Sequence, residues 1–283
     1  MFLIDVWVNS TGRRIIEFNL STPYDTSTVT EGNSFAISGT VAAAVLQDFS
    51  FDDDGTRMYV IRSDGTAGNT VALEQFSLST PWDSSTITWT GRTDLQTGCT
   101  KSIQARGLDF KPDGTRVFIG NEGNDIIAQY DLTTPWDVTS MTNQFCSPSI
   151  SGDETKMRNI QLSSDGNFLY VGGNTGDDIN KYSLTTPYNI TSISLETSYS
   201  ISAQTGEMRG FIFSSNFTKL YVTGDAGLNV IYEYNVDCAG TITCLDASTN
   251  ADVKAIIEAN VESAKRLIRN NTWVLYTSDA ADE

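Results

Sequence analysis

Residues 125–137 read DIIAQYDLTTPWD, an alternating strand that runs into a Thr-Thr-Pro-Trp-Asp segment. The same phrase occurs at 14–25 (RIIEFNLSTPYD), 71–83 (VALEQFSLSTPWD) and 178–189 (DINKYSLTTPYN), and its strand alone recurs at 230–236 (VIYEYNV). The aromatic residue of the strand recurs every 52 to 58 residues. Self-similarity at such a period predicts an array of repeated structural units.

A second phrase recurs with the same period, at 49–60 (FSFDDDGTRMYV), 108–119 (LDFKPDGTRVFI), 160–171 (IQLSSDGNFLYV) and 211–222 (FIFSSNFTKLYV). Each copy is two alternating runs around a turn, and three copies have the Asp-Gly pair that a tight hairpin favours. One unit therefore contains inner strand a, a hairpin, strand b, a loop, aromatic strand c, a Thr-Pro corner and outer strand d. The pattern predicts an all-β fold, a β-propeller of about five four-stranded antiparallel blades.

The repeats end near residue 245, so we predict one propeller domain over residues 1–245. Its first blade lacks an inner strand, because the opening MFLIDVWV aligns with strand b of the other units. Residues 249–270 have apolar residues at helical spacing and predict a short C-terminal helix. That helix either packs against the propeller or begins a coiled coil.

The final residues, 274–283 (VLYTSDAADE), resemble the translation of a sequencing adaptor. We therefore leave this segment out of the fold prediction, as is done for any foreign scar. On this interpretation the chain is a fragment of a reading frame from a metagenomic assembly.

The repeats resemble those of the YVTN/lactonase-like and NHL-like β-propeller superfamily. More narrowly, they are similar to the LSTPWD repeats of propellers in marine phage structural proteins and in some bacterial surface proteins. The resemblance covers about residues 1–245 and implies the propeller fold. It implies less about function, because propellers host many unrelated functions.

Composition and charge exclude several classes of function. Lys and Arg number 18 against 35 acids, a net charge of −17, which disfavours nucleic acid or an anionic membrane as partner. No apolar run approaches eighteen residues, so membrane insertion is not expected, and the first residues lack the basic region of a signal peptide. Histidine is absent, which removes the commonest general base and metal ligand, so we expect neither a metal nor another cofactor.

The chain has four cysteines. Cys238 and Cys244 are close enough in sequence to form a disulfide, although two separate buried thiols fit equally well. A disulfide between Cys99 and Cys146 is not expected, and without paired Cys-x-x-Cys motifs neither is a zinc site.

An arginine recurs near the start of the inner strand, where it would face the channel mouth. One interpretation is a polar funnel whose guanidinium groups bind a carboxylate, sulfate or sugar hydroxyls. The other, which the repetition favours, is that each arginine pairs with an acid of a neighbouring blade. The residues at this position in successive units are Gln47, Arg106, Arg158 and Arg209. The acids of the b–c loops are Asp64, Glu122, Asp125, Asp177, Asp178 and Asp225.

The Thr-Pro corner also permits two interpretations. Its aromatic ring could stack on a sugar, but packing between blades is favoured, with Pro setting the turn and Asp or Asn capping it. The corner residues are Pro23, Tyr24, Pro81, Trp82, Pro135, Trp136, Pro187 and Tyr188. Acid clusters at 52–54 and 121–125 lack the EF-hand pattern, so no calcium site is predicted.

The leading hypothesis is a non-enzymatic structural or receptor-binding propeller on a phage virion or tail fibre. Its partners would be a glycan or protein receptor, other virion proteins or further copies of itself, on a virion or at a cell surface. One alternative is a lactonase-like hydrolase, which requires channel carboxylates without counterparts in every blade. The sequence repeats indicate no such carboxylates. Another alternative is a bacterial cell-surface adhesion propeller.

Overall fold

A computed structural model of the chain shows twenty β-strands and short connecting turns in the residues it describes. The described residues are 2–5, 14–22, 28–36, 45–63, 71–95, 98–100, 104–203, 205–214, 217–224, 230–236, 242–244 and 275–276. The predicted helix at 249–270 lies outside them.

Five antiparallel sheets of four strands account for all the described strands. The strands are β1 (Phe2–Asp5), β2 (Arg14–Leu20), β3 (Val29–Ala36), β4 (Val45–Phe51), β5 (Arg57–Ser63), β6 (Val71–Leu78), β7 (Ile87–Asp94), β8 (Ala105–Phe110), β9 (Arg116–Asn121), β10 (Ile126–Leu132), β11 (Met141–Cys146), β12 (Met157–Leu162), β13 (Phe168–Gly173), β14 (Asp178–Leu184), β15 (Ile193–Ser200), β16 (Met208–Phe213), β17 (Lys219–Gly224), β18 (Val230–Val236), β19 (Ile242–Cys244) and β20 (Leu275–Tyr276). Blade 1 has the order β20-β1-β2-β3, and blades 2 to 5 take β4–β7, β8–β11, β12–β15 and β16–β19 in turn. The predicted all-β propeller of four-stranded antiparallel blades is confirmed.

The first strand of each of blades 2 to 5 is the innermost, since β4, β8, β12 and β16 contact one another in succession. The core lies between blades. Tyr59 and Leu73 of blade 2, for example, pack with Phe110 and Val117 of blade 3, and all four are buried. Each sheet carries apolar side chains on both faces, and these faces are buried only when neighbouring blades pack against them.

Blade 1 takes its inner strand from far along the chain. The repeats predict no inner strand ahead of β1, and in the structure β20 pairs antiparallel with β1, with Leu275 opposite Leu3 and Tyr276 opposite Phe2. β20 also contacts β16 and β17 of blade 5. Blade 1 and blade 5 are therefore neighbours. The strand falls in the segment 274–283, whose foreign origin stays a prediction.

Each described Thr-Pro corner packs on the hairpin glycine of its own blade. At Trp136 the backbone is left-handed (φ 63°) and its N–H donates to the Gly114 carbonyl at 2.9 Å. A Cβ on Gly114 would lie 2.4 Å from the indole, so only glycine allows this contact. The indole centroid is 5.3 Å from Phe110 and 6.3 Å from Tyr59 of blade 2, which places the ring between blades.

The remaining corner residues follow the same arrangement where they are described. Trp82 and Tyr188 also have positive φ and cover the hairpin glycines of their blades. Asp137 accepts a hydrogen bond from Thr139 N at 2.9 Å and so caps the turn that follows the corner. Pro23 and Tyr24 lie outside the described residues.

A disulfide joins Cys99 to Cys146, with Cα atoms 5.7 Å apart. The expectation that these two cysteines stay apart is wrong. Residues 98–100, in the connection between blades 2 and 3, contact β10 and β11, and Cys146 is the last residue of β11. The cysteines are 47 residues apart in sequence, and only the return of strand d beside the incoming loop brings them together. Cys238, of the predicted pair with Cys244, lies outside the described residues.

Candidate functional site

The inner strands present two tiers of side chains to the channel. Arg106 and Asp109 are both only partly buried although they are three residues apart, a spacing that puts side chains on opposite sides of a regular strand. A β-bulge explains this: the pairing of β8 with β9 shifts between Ala105 and Leu108, and Gly107 has φ 80°. β12 and β16 have the same shift and the same burial pattern.

We call these rows the mouth tier and the deep tier. Matching the four inner strands places Gln47, Arg106, Arg158 and Arg209 in the mouth tier. The deep tier contains Ser50, Asp109, Gln161 and Ile212. At the usual rise of a strand the two tiers are at most about 10 Å apart along the channel.

The deep tier links neighbouring blades. The inner strand is an edge strand, so its outward backbone N–H groups need partners that the sheet does not supply. Asp109 Oδ2 accepts from Leu162 N of the next blade at 2.6 Å, and Gln161 Oε1 accepts from Phe213 N of the blade after that at 2.8 Å. A side-chain oxygen of one blade thus accepts a hydrogen bond from a backbone N–H group of the following blade.

Asp109 is the one acid of the described deep tier. Burial raises its pKa to about 7, despite the hydrogen bonds from Leu162 N and Phe110 N that oppose the shift. The charge of Asp53 raises it further. The residue as a whole is only partly buried and lies on the inner strand of its blade. A carboxyl group that is half-ionised near neutral pH and reachable from a channel is suited to general base catalysis.

A second carboxyl group, Asp48, lies beside this tier and is fully buried. It accepts hydrogen bonds from Phe49 N (2.8 Å), Leu108 N (2.6 Å) and Asn159 Nδ2 (3.0 Å), which join blades 2, 3 and 4. Burial raises its pKa well above the ordinary value, and the nearby charge of Asp109 adds to the shift. Asp48 is therefore a buried structural residue that holds three blades together and lies close enough to Asp109 for their charges to interact.

The mouth tier is held by ion pairs. Glu122 bridges two blades: its carboxylate is 2.7 Å from Arg106 Nε and 3.1 Å from an amino nitrogen of Arg158. Arg106 also donates to Gln47 Oε1, and Arg209 pairs with Glu207 at 2.8 Å. Arginine pairing with an acid of the neighbouring blade is therefore present at Arg158.

The three arginines also act on one another. Burial lowers the pKa of Arg158, and the charges of Arg106 and Arg209 lower it further, whereas Glu122 opposes the shift. The three guanidinium groups are therefore close enough to act on one another, and Glu122 and Glu207 pair with them. Whether this tier binds a ligand stays a prediction.

Two of the acids predicted for the mouth, Asp125 and Asp178, are described by the structure. Burial raises the pKa of Asp125, as does the charge of Glu122, and burial likewise raises the pKa of Asp178, which accepts from Asn180 Nδ2 at 2.8 Å. Within the described residues, neither acid forms an ion pair with a mouth-tier arginine. Asp64 and Asp225 lie outside the described residues.

The described residues contain no group of three or more Asp, Glu or Cys side chains that could hold a metal ion. None of their helices has the length and apolar character needed to cross a bilayer.

Sequence reasoning missed Asp48 and Asp109 because it looked for residues that recur. The signal lay in the differences between the copies. The position of Asp48 is Gly107, Asn159 and Gly210 in the other inner strands, and that of Asp109 is Ser50, Gln161 and Ile212. The prediction that the channel has no carboxylates without counterparts is therefore wrong.

The strands define a β-propeller whose inner strands carry a row of paired arginines and, three residues further along β8, a carboxyl group. The family described as lactonase, 7-bladed β-propeller, matches residues 96–259. This is more than half of the chain, and the chain belongs to the lactonase family of β-propellers. The described residues form five four-stranded sheets, against the seven blades in the family's description.

Solved structures support the fold. A protein from Bacteroides uniformis described as a candidate 6-phosphogluconolactonase has a TM-score of 0.54 and 14% identity, over 86% of this chain and 80% of that one. A protein from Bacteroides fragilis with the same description has a TM-score of 0.53 and 15% identity, over 87% of this chain and 80% of that one. A comparison with curated protein sequences found no match.

The family match corrects the functional expectation. The hypothesis of a non-enzymatic structural or receptor-binding propeller on a phage is wrong, and the findings favour the lactonase-like alternative. The physical error was to treat the absence of histidine as the absence of a general base, since a buried carboxyl group can do the same work. The narrower resemblance to marine phage repeats stays a prediction.

Proposed function

We propose that this chain hydrolyses a lactone inside its central channel, with Asp109 as the general base and the mouth-tier arginines as the binding site for an anionic substrate. The observation that carries the proposal is Asp109: a channel carboxyl group with a pKa of about 7 in a member of the lactonase family. A base with that pKa is present as carboxylate in a large fraction of molecules at neutral pH.

The proposed reaction is ester hydrolysis. The Asp109 carboxylate takes a proton from a water molecule while that water attacks the lactone carbonyl carbon. The tetrahedral intermediate then expels the ring oxygen, which receives the proton from Asp109, and the product is an open hydroxy acid. Each oxygen of Asp109 accepts one backbone N–H, which fixes the carboxylate and leaves lone pairs for the water.

The mouth tier supplies binding and orientation. Guanidinium groups bind planar anions through charged hydrogen bonds, and Arg106 and Arg158 each already use one nitrogen to hold the Glu122 carboxylate. A substrate whose anionic group lies near the mouth would place its ring deeper in the channel, towards Asp109. The low dielectric of a buried channel strengthens such contacts.

The test uses Asp109→Gln. Gln161, at the equivalent position of blade 4, makes the same kind of inter-blade hydrogen bond through its side-chain oxygen. The variant therefore keeps the hydrogen bond between blades and removes the general base. With a panel of γ- and δ-lactones of sugar acids, we expect the wild type to hydrolyse at least one and the variant to lose about 100-fold or more in kcat.

The control is Gln75→Ala. Gln75 Oε1 accepts from Val138 N of blade 3 at 3.0 Å, on strand c and away from the inner strands. This variant loses an inter-blade hydrogen bond without touching the channel, so its turnover should match the wild type. Hydrolysis at the wild-type rate by Asp109→Gln, or no hydrolysis of any lactone by folded protein, would contradict the proposal.

A further inference from the structure

The loop that contains Cys99 supports the turn that carries Glu122. Residues 98–100, which we call the disulfide loop, contact β10 and β11. The Cys99 carbonyl accepts hydrogen bonds from Asn121 Nδ2 at 2.7 Å and from Asn124 Nδ2 at 3.4 Å. Asn121 is fully buried, and its Oδ1 accepts from the backbone N–H two residues further on at 3.0 Å. The two asparagines therefore tie the turn on both sides of Glu122 to the disulfide loop.

Blades 4 and 5 support the corresponding turn in another way. The last residue of strand b is Asn121 in blade 3 but Gly173 in blade 4 and Gly224 in blade 5. A Cβ on Gly173 would lie 2.3 Å from the Glu154 carboxyl carbon. A Cβ on Gly224 would lie 2.4 Å from Thr205 Oγ1. A side chain of the incoming loop thus packs on each glycine, whereas in blade 3 Asn121 reaches back to the main chain of the disulfide loop.

The two cysteines of the disulfide differ in exposure. Cys99 is buried, with 3% of its surface exposed, whereas Cys146 is an exposed residue at the end of β11, the outer strand of its blade. Thiol–disulfide exchange begins with attack of a thiolate on one sulfur of the bridge, and access helps decide which sulfur is attacked. A thiolate that arrives from solvent therefore reaches Cys146 before Cys99.

We propose that Cys146 is a thiol–disulfide exchange site through which a small thiol controls the mouth tier. The thiolate bonds to the Cys146 sulfur, the bond between the two cysteine sulfurs breaks, and the Cys99 thiolate takes up a proton. A second thiol then displaces Cys146 and leaves as the oxidised disulfide of the two small thiols. Both cysteines are thereby reduced and two small thiols are oxidised.

Reduction releases the covalent hold on the disulfide loop and so weakens the support of Glu122. The Glu122 carboxylate is 2.7 Å from Arg106 Nε and 3.1 Å from an amino nitrogen of Arg158, so it competes with any other anion for these donors. A less firmly held Glu122 leaves the two guanidinium groups better able to bind an anion. The inference rests on the proposed function only in taking that anion to be the substrate.

The first measurement locates the exchange. The oxidised protein is incubated with glutathione under native conditions and quenched in acid, and its peptides are analysed by mass spectrometry. We expect Cys146 to carry the main mixed disulfide of this pair. Equal or greater labelling of Cys99, or no reaction of the bridge while the chain stays folded, would overturn the assignment.

Hydrogen exchange then measures the effect on the turn. Glu122 N donates to the Gln104 carbonyl at 3.0 Å, and this amide should exchange at least about fivefold faster after reduction. Asn174 N makes the corresponding bond to the Lys156 carbonyl in blade 4, at 3.1 Å, and its exchange should be unchanged. An equal rise in both blades, or a rise in neither, would overturn local control of the mouth.

Two variants separate the bridge from the other cysteines. Cys146→Ser should show the fast exchange at Glu122 without any reductant and should not respond further to it. Cys244→Ser also removes a cysteine, but from β19 in blade 5, and should keep the full response of Glu122. A response that persists in Cys146→Ser, or one that disappears in Cys244→Ser, would overturn the role of the bridge.

Kinetics test the consequence for binding. After reduction, KM for an anionic lactone should fall about threefold, with kcat unchanged because Asp109 keeps its own hydrogen bond to blade 4. A KM that stays the same or rises would overturn the control of binding. Because exchange and labelling involve no turnover, a reduction-sensitive Glu122 turn in a protein that hydrolyses no lactone would keep this inference and remove only the proposed function.

Discussion

At the scale of single residues, the channel is governed by where carboxyl groups are buried. Asp48 and Asp109 accept backbone N–H groups of neighbouring blades, and burial raises the pKa of both. Their types could be read from the sequence, but their burial could not. It depends on the bulge at Gly107 and on the approach of strands more than fifty residues apart.

Asp109 should make stability fall with rising pH. The unfolded chain ionises this residue near pH 4, whereas the folded chain retains the proton up to about pH 7. Its stabilising contribution is therefore complete below pH 4 and is lost as the pH rises to about 7. Replacing Asp109 with Gln should reduce the fall in unfolding free energy between pH 4 and pH 8 by up to about 4 kcal/mol.

Urea unfolding of both proteins at the two pH values measures this difference. The comparison isolates Asp109 from the carboxyl groups whose pKa is lowered by hydrogen bonds, such as Asp54 and Asp165, because the variant retains them. The same pH dependence in both proteins would show that the carboxyl group does not carry the shift.

At the scale of elements, the sequence predicts the strands, the Asp-Gly hairpins and the Thr-Pro corners because each depends on local chemistry. What it did not predict is contact between elements of different units. The clearest example is the disulfide from Cys99, in the loop entering blade 3, to Cys146, at the end of β11. Disulfides persist in oxidising surroundings. The location on a virion or at a cell surface stays a prediction.

Removing this disulfide should lower stability substantially. Closing a loop of this length stabilises a folded chain by up to about 4 kcal/mol through the unfolded state. We expect Cys146→Ser to unfold at a lower urea concentration than the oxidised wild type. Reduction of the wild type should lower its midpoint to a similar value, with little further effect of reductant on the variant. An oxidised wild type that unfolds at the same urea concentration as Cys146→Ser would count against the bridge.

At the scale of the whole molecule, the repeat period predicts a propeller but not how the ring closes. In the structure β20 completes blade 1 and contacts blade 5. A two-residue strand carries no recognisable pattern, and 274–283 was left out of the fold prediction. Repetition also concealed the site, because the residue that matters there, Asp109, departs from the repeat.

Removal of residues 274–283 tests the closure. The pairing of β20 with β1 predicts that the shortened chain loses stability, since the edge of β1 becomes unpaired. Hydrogen exchange of the β1 amides, read beside those of β13 in blade 4 as an internal control, should rise only in blade 1. Unchanged exchange is the result expected if the segment is a foreign addition with no structural role.

The central claim is that a channel carboxyl group with a pKa of about 7 performs lactone hydrolysis. Its most direct test is the pH dependence of kcat/KM for a hydrolysed lactone, corrected for the uncatalysed rate. The account predicts a tenfold rise per pH unit below about pH 7, a plateau above it, and loss of this limb in Asp109→Gln. A wild-type profile that is flat between pH 5 and pH 8, or a variant with the same profile as the wild type, would contradict it.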